Sequence, residues 1–144
     1  MQWSDEEHAG FTTGDPWLRE NSNYTQINVQ EQLGREDSVL SFYKKLIALR
    51  KDPAYKDTLV YGDFVPVEDC GHNGIAYLRK SEEQTILVAG NFNAQDVSLK
   101  LPRGAEGSAF KDGKLLLDNG KEAYAADGKL NLAGFAAAVI LLKA

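Results

Sequence analysis

Apolar positions along the chain follow two different periods, and the change comes near residue 57. Val39, Phe42, Tyr43, Leu46 and Ile47 recur at helical spacing and predict one apolar stripe on a helix running from Ser38 to about Lys51. Asp37 or Ser38 would cap it, Arg50 and Lys51 sit where the helix dipole favours cations, and Pro53 ends it. Beyond residue 57, short β-type runs alternate with turns. Strands are predicted over Leu59–Val67, Gly74–Lys80, Gln84–Phe92, Asp96–Leu101, Lys114–Asp118 and Phe135–Lys143. Within them Val97, Leu99 and Leu101 alternate with Ser98 and Lys100, the period of a half-buried strand. The links carry turn chemistry: Gly71-His72-Asn73-Gly74, Asn91-Phe92-Asn93, Asp112-Gly113, Asn119-Gly120 and Asp127-Gly128. Regular strand spacing with such turns predicts an antiparallel β-sandwich or barrel and not a βαβ unit.

The opening segment has neither period. Met1 to Tyr24 is rich in Gly, Thr, Asp, Asn and aromatics, which predicts either a structured loop with packed aromatics or a disordered one. Asn28 followed by Glu31 fits a capping box, giving a short helix through Leu33 that stops at Gly34. The expected organisation is therefore an irregular and helical part, residues 1–57, and a mainly β domain, residues 58–144.

Composition narrows the function. The formal net charge of −5 argues against nucleic acid and against an anionic membrane surface. The longest apolar run, Phe135 to Leu142, is too short to span a bilayer, and no secretory signal is expected. With one cysteine, Cys70, no intrachain disulfide can form, which suits a cytoplasmic setting.

The chemistry-bearing residues form no clear site. Asp5, Glu6 and Glu7, with Asp15 and Glu20 nearby, could in principle supply paired carboxylates, but adjacent acids in a loop read first as a solvated face. Glu68, Asp69, Glu82 and Glu83 lie at turns. His72 follows Cys70 by two residues and His8 has no partner at helical spacing, so neither predicts a metal site, and no cofactor is expected. Cys70 as a nucleophile would have only His72, in a turn, as its base, so a surface thiol is expected instead. Sugars stack on aromatic faces, and Trp3 and Trp17, in the irregular segment, are the candidate substrate-binding residues. Structural anchoring is their competing role.

The first third of the chain also carries an ordered set of short motifs. Met1-Gln2-Trp3-Ser4-Asp5, Ala9-Gly10-Phe11-Thr12-Thr13-Gly14, Pro16-Trp17, Asn23-Tyr24 and Ile27-Asn28-Val29 come first. Ser38-Val39, Phe42-Tyr43-Lys44-Lys45-Leu46-Ile47 and Leu49-Arg50-Lys51 follow, with Val60-Tyr61-Gly62 and Val88-Ala89-Gly90-Asn91-Phe92 further on. This series resembles the oligo-1,6-glucosidase group of glycoside hydrolase family 13, the α-amylase superfamily. The resemblance implies that residues 1–37 are the loop after the last strand of a (β/α)₈ barrel, that 38–51 are its last helix, and that about 58–144 are a C-terminal antiparallel sandwich. It implies hydrolysis of α-glucosidic bonds of short isomalto- or malto-oligosaccharides with retention, by two aspartates and a glutamate that map onto no residue here. The motif of that family continues upstream of Met1, so Met1 is expected to mark a truncated frame or a cloned fragment. The partner so implied is the catalytic barrel; without it, the stripe Val39, Phe42, Tyr43, Leu46 and Ile47 is expected to fold onto the chain's own sandwich or to be buried in a homodimer. A free-standing carbohydrate-binding or structural module is the alternative.

Overall fold

The computed structural model describes residues 1–68, 70, 74–100, 113–126 and 129–143. It divides into two compact units, Met1–Leu46 and Ile47–Ala144. Of the predicted features, Leu101, His72 and the turns at 71–73, Asp112 and 127–128 lie outside the described residues.

In the first unit, α1 spans Val29–Gln32, and α2 begins at Val39 and continues to Lys51 in the second unit. Each start has a side-chain cap. The Glu31 amide donates to Asn28 Oδ1 at 2.8 Å, and the Ser41 amide donates to Ser38 Oγ at 3.1 Å. The return bond of a capping box is replaced, since the Glu31 carboxylate lies 3.9 Å from Arg35 Nη1. Gly34 takes φ +83°, the left-handed conformation that ends α1 without a Cβ penalty.

The second unit is the β domain. A five-stranded antiparallel sheet has the order β1 (Asp63–Pro66), β2 (Gly74–Lys80), β3 (Thr85–Asn91), β8 (Ala137–Lys143), β5 (Lys114–Asp118). A three-stranded antiparallel sheet has the order β4 (Val97–Lys100), β7 (Lys129–Leu132), β6 (Ala123–Ala126). The pleat sorts the side chains. Ala76 and Leu78, Leu87 and Ala89, and Ala138, Ile140 and Leu142 from the large sheet pack with Leu99, Leu130 and Leu132 from the small one into a single core. The protein is a mainly β antiparallel sandwich with few helical residues. β3 and β8 are covered on both faces, because Ile86 and Val139 point the other way and pack with Leu59, Leu49 and Tyr55. That explains why their sequences read as near-continuous apolar runs.

Two strand expectations need correction. Leu59–Tyr61, expected to open a strand, lie in a π-helical turn over Asp57–Tyr61, with the Leu59 amide donating to the Tyr55 carbonyl at 2.8 Å. Burial of Leu59 on the outer face of the large sheet outweighs the β propensity of a Leu-Val-Tyr run. The chain passes to β1 through Gly62, where a Cβ would fall 2.5 Å from the Thr58 carbonyl oxygen and 2.6 Å from that of Lys80. Phe135 and Ala136, expected to begin the last strand, precede it. Phe135 has φ +59° and donates to the Asn93 carbonyl at 2.8 Å, while the Ala136 amide closes a turn on Ala133. β6 and β7 were not anticipated. β6 reads Ala-Tyr-Ala-Ala, a composition with little strand signal, and both have only four residues.

Asn91 fastens the turns at one end of the sandwich. Its side chain is buried, and Nδ2 donates toward the carbonyls of Gln95 (2.8 Å), Ala133 (3.0 Å) and Leu132 (3.3 Å), while Oδ1 accepts from the Asn93 amide.

Candidate functional site

The candidate site lies in the first unit, where the opening loop wraps on α1. The first amides of a helix need partners from outside it, and here the Met-Gln-Trp segment supplies them. The Val29 amide donates to the Gln2 carbonyl and that of Gln30 to the Trp3 carbonyl, both at 2.9 Å, leaving the third to Asn28. Gln2 Nε2 in turn reaches Asn23 Oδ1 at 3.3 Å and the Ile27 carbonyl. Asn28 Nδ2 donates to the Tyr24 carbonyl at 2.8 Å. Three short motifs separated in sequence are thus joined by polar contacts.

The loop folds back tightly after Ser4. His8, Ala9 and Gly10 are consecutive left-handed residues with φ of 54°, 57° and 63°, two of them carrying a Cβ. The reversal is held by the Ala9 carbonyl, which accepts from the amides of Trp3 (2.8 Å) and Ser4 (3.1 Å). Gly10 is required, since a Cβ there would collide with the Ser4 side chain.

Between this reversal and α1 lies an open hollow of about 660 Å³, with Phe11, Trp17, Leu18 and Ile27 on its apolar side and Gln2, His8, Asp15 and Glu20 among its polar groups. His8 faces two carboxylates, with Nδ1 3.8 Å from Glu20 and Nε2 3.9 Å from Glu7. Trp17 lines the hollow and is 91% exposed, while Trp3 is 48% exposed and is not among the lining residues. The loop is structured, but of its aromatics Trp3, Phe11 and Trp17 are exposed and only Tyr24 is half-buried. Asp5, Glu6 and Glu7 are exposed, and only Glu7 lies near His8. Among the described residues no group of three His, Cys, Asp or Glu is placed to hold a metal ion. Cys70 Sγ donates to the Val67 carbonyl at 3.1 Å.

Just past the hollow, Arg35 forks onto Asp37 with Nε and Nη2 each 3.4 Å from a carboxylate oxygen. The hydrogen bond and then the charge of Arg35 hold the Asp37 carboxyl below the usual carboxylate range. On α2 itself, Val39, Tyr43, Leu46 and Ile47 are exposed and Phe42 is half-buried, so most of the predicted stripe is open.

Two families match in sequence order. The α-amylase catalytic domain matches residues 1–62, and the C-terminal domain of the α-amylase SusG matches residues 75–139. The oligo-1,6-glucosidase of Bacillus cereus is 39% identical over 119 residues, covering 83% of this chain and 20% of that protein. The chain belongs to glycoside hydrolase family 13. It spans about a fifth of the length of the curated family members it matches. Among solved family members, the trehalose-6-phosphate hydrolase of Bacillus licheniformis superposes with a TM-score of 0.83 at 31% identity, over 97% of this chain and 24% of that one. The isomaltulose synthase of Klebsiella sp. LX3 superposes with a TM-score of 0.78 at 33% identity, with the same coverage. The relatives are glucosidases among others, and this segment superposes on both a hydrolase and a synthase. No described helix is long and apolar enough to cross a membrane.

Sequence reasoning missed the pairing of Phe64 with Tyr77, whose rings lie 4.9 Å apart at 36° on neighbouring strands. Only the register, which sets Phe64 opposite Arg79 and Pro66 opposite Tyr77, brings them onto one face.

Proposed function

We propose that this chain is the C-terminal portion of an α-glucosidase that cleaves α-glucosidic bonds of short isomalto- or malto-type oligosaccharides with retention, and that the 144-residue chain alone is inactive. In this reading, residues 1–57 complete the end of a catalytic barrel and residues 58–144 are its accessory β-sandwich. The observation that carries it is the ordered pair of matches, a catalytic-domain segment followed by a C-terminal-domain segment. The hydrogen-bonded cluster of Gln2, Asn23, Asn28 and Val29 supports it, because the motifs shared with the family are the ones that hold the loop on α1. Substrate choice then resides elsewhere in the enzyme, since hydrolases and a synthase share this segment.

The catalytic barrel is the proposed partner, and it covers the exposed face of α2 formed by Val39, Tyr43, Leu46 and Ile47. A second copy of the chain on the same face is the competing occupant, and a sedimentation mass of two chains would favour it. A cytoplasmic setting belongs to this reading, supported by the single cysteine. The test is release of nitrophenol from a nitrophenyl α-glucoside by the purified chain, beside a full-length homologue. No release is expected. Turnover that survives repurification would overturn the proposal and make Asp5, Glu6 and Glu7 the first residues to mutate.

A second reading, a carbohydrate-binding or structural module, draws on the Phe64–Tyr77 pair, a small aromatic platform on β1 and β2. Affinity for maltose or isomaltose that is lost in Phe64→Ala would favour binding. Full absence of affinity leaves the accessory role.

A further inference from the structure

In an Asn-Gly dipeptide, the glycine nitrogen has no neighbouring Cβ to hinder its approach to the asparagine side-chain carbon. Attack forms a bond between that nitrogen and Cγ, breaks the bond from Cγ to Nδ2, and expels ammonia carrying the amide proton. Water then opens the resulting succinimide at either carbonyl, leaving aspartate or isoaspartate. The chain has two such dipeptides, Asn73-Gly74 and Asn119-Gly120.

At the second, every atom the reaction needs is engaged. Asn119 Nδ2, the leaving group, donates to the Phe135 carbonyl at 2.7 Å. Oδ1, on the carbon to be attacked, accepts from the Ala137 amide at 3.0 Å. The nucleophile, the Gly120 nitrogen, donates to Asp118 Oδ1 at 2.7 Å. Asn119 is nonetheless exposed, and Gly120 has φ +75° with open space around it, so nothing but these bonds guards the site. The same side chain steadies a strained corner, since Phe135 is held in the left-handed region between its bond to Asn93 and the one it accepts from Asn119.

We propose that Asn119-Gly120 is a spontaneous deamidation site kept closed by the corner between β5 and β8, and that reaction there prevents the corner from closing again. Deamidation in the folded chain has to wait for local opening of that corner, so its rate reports the open population. The product replaces an N–H donor with a carboxylate oxygen facing the Phe135 carbonyl, beside the Asp118 carboxylate, so acceptor meets acceptor. The inference is independent of the proposed enzymatic role.

The test is peptide mapping for aspartate and isoaspartate at both Asn-Gly sites during incubation at mildly alkaline pH, in buffer and in unfolding urea. Asn119 is expected to convert at least about tenfold more slowly in the folded chain, which corresponds to about 1.4 kcal/mol of opening. At urea concentrations below unfolding, its rate should rise together with exchange of the Ala137 amide. In Asn119→Asp, that amide should exchange faster than in the parent chain. Equal rates in folded and unfolded chains would overturn the gating, and an Asn119 inert in urea while Asn73 converts would overturn the site. Unchanged Ala137 protection in Asn119→Asp would overturn the claim that the corner stays open.

Discussion

The two units are held together by different means. In residues 1–46 the buried groups are one alanine, Ala9, and three polar side chains, Ser4, Asn28 and Ser38, while Trp3, Phe11, Trp17, Ile27, Val39 and Tyr43 are exposed. In residues 47–144 the buried groups are overwhelmingly aliphatic, with Ile86, Leu87, Leu99, Leu130 and Leu132 sealed from solvent. The β domain is therefore stabilised mainly by apolar burial, at about 1.5–3 kcal/mol for each large aliphatic side chain. The first unit relies on directed hydrogen bonds, each with a net contribution of about 1 kcal/mol. The first unit thus keeps small polar side chains inside and leaves its large apolar ones in water, as expected if the proposed barrel covers them. That agrees with its match to part of a much larger catalytic domain.

The comparison can be broken most directly at the centre of the sandwich. Leu132→Ala removes a fully buried side chain between the sheets and is expected to cost about 2–5 kcal/mol, read as a lower urea midpoint. A loss below about 1 kcal/mol would mean that the core is not the main support of this unit. Asn91→Ala strips donors from three carbonyls at one end of the sandwich, and about 1–3 kcal/mol should be lost in the same measurement.

Effects in the first unit should be smaller and local. Asn28→Ala deletes the α1 cap and is expected to cost about 1 kcal/mol. It should speed amide exchange at Val29–Gln32 while leaving β3 protected, and exchange that rises equally in both units would erase the distinction between them. Tyr43→Lys and Ile47→Lys, on the open face of α2, should change the stability of the isolated chain by no more than about 0.5 kcal/mol. If either destabilises it clearly, that face is covered in solution, and sedimentation would show by what.

The smallest effect concerns Asp37. Its folded carboxyl is held below its ordinary value by Arg35, so any stabilisation is present above the unfolded carboxylate range and is lost as pH falls through the folded value. Amides at the start of α2 should therefore exchange relatively faster in acid in the parent chain, and Asp37→Asn should flatten that dependence. Asp37 is exposed, so the global midpoint should scarcely move.

Much of this was legible in the residues alone. Asn28, Gly34, Ser38 and Pro53 act within a few residues of themselves, so caps and helix ends followed from local chemistry. β2 and β5 likewise have the bounds that their sequences predict, Gly74–Lys80 and Lys114–Asp118, and the motifs from Met1 to Val29 pointed to the family. Long-range geometry was not legible. Whether Leu59 would extend a strand or cap a sheet depended on Ile86 and Val139, far along the chain. The strand signal of β6 was too weak to stand without its partner β7. The hollow beside Trp17 exists because a left-handed reversal at His8–Gly10 brings the loop back over α1. Propensity and capping are properties of neighbours in sequence, which residue types specify directly. Register, burial and the company a side chain keeps arise only when distant segments meet, so the tertiary structure decided them.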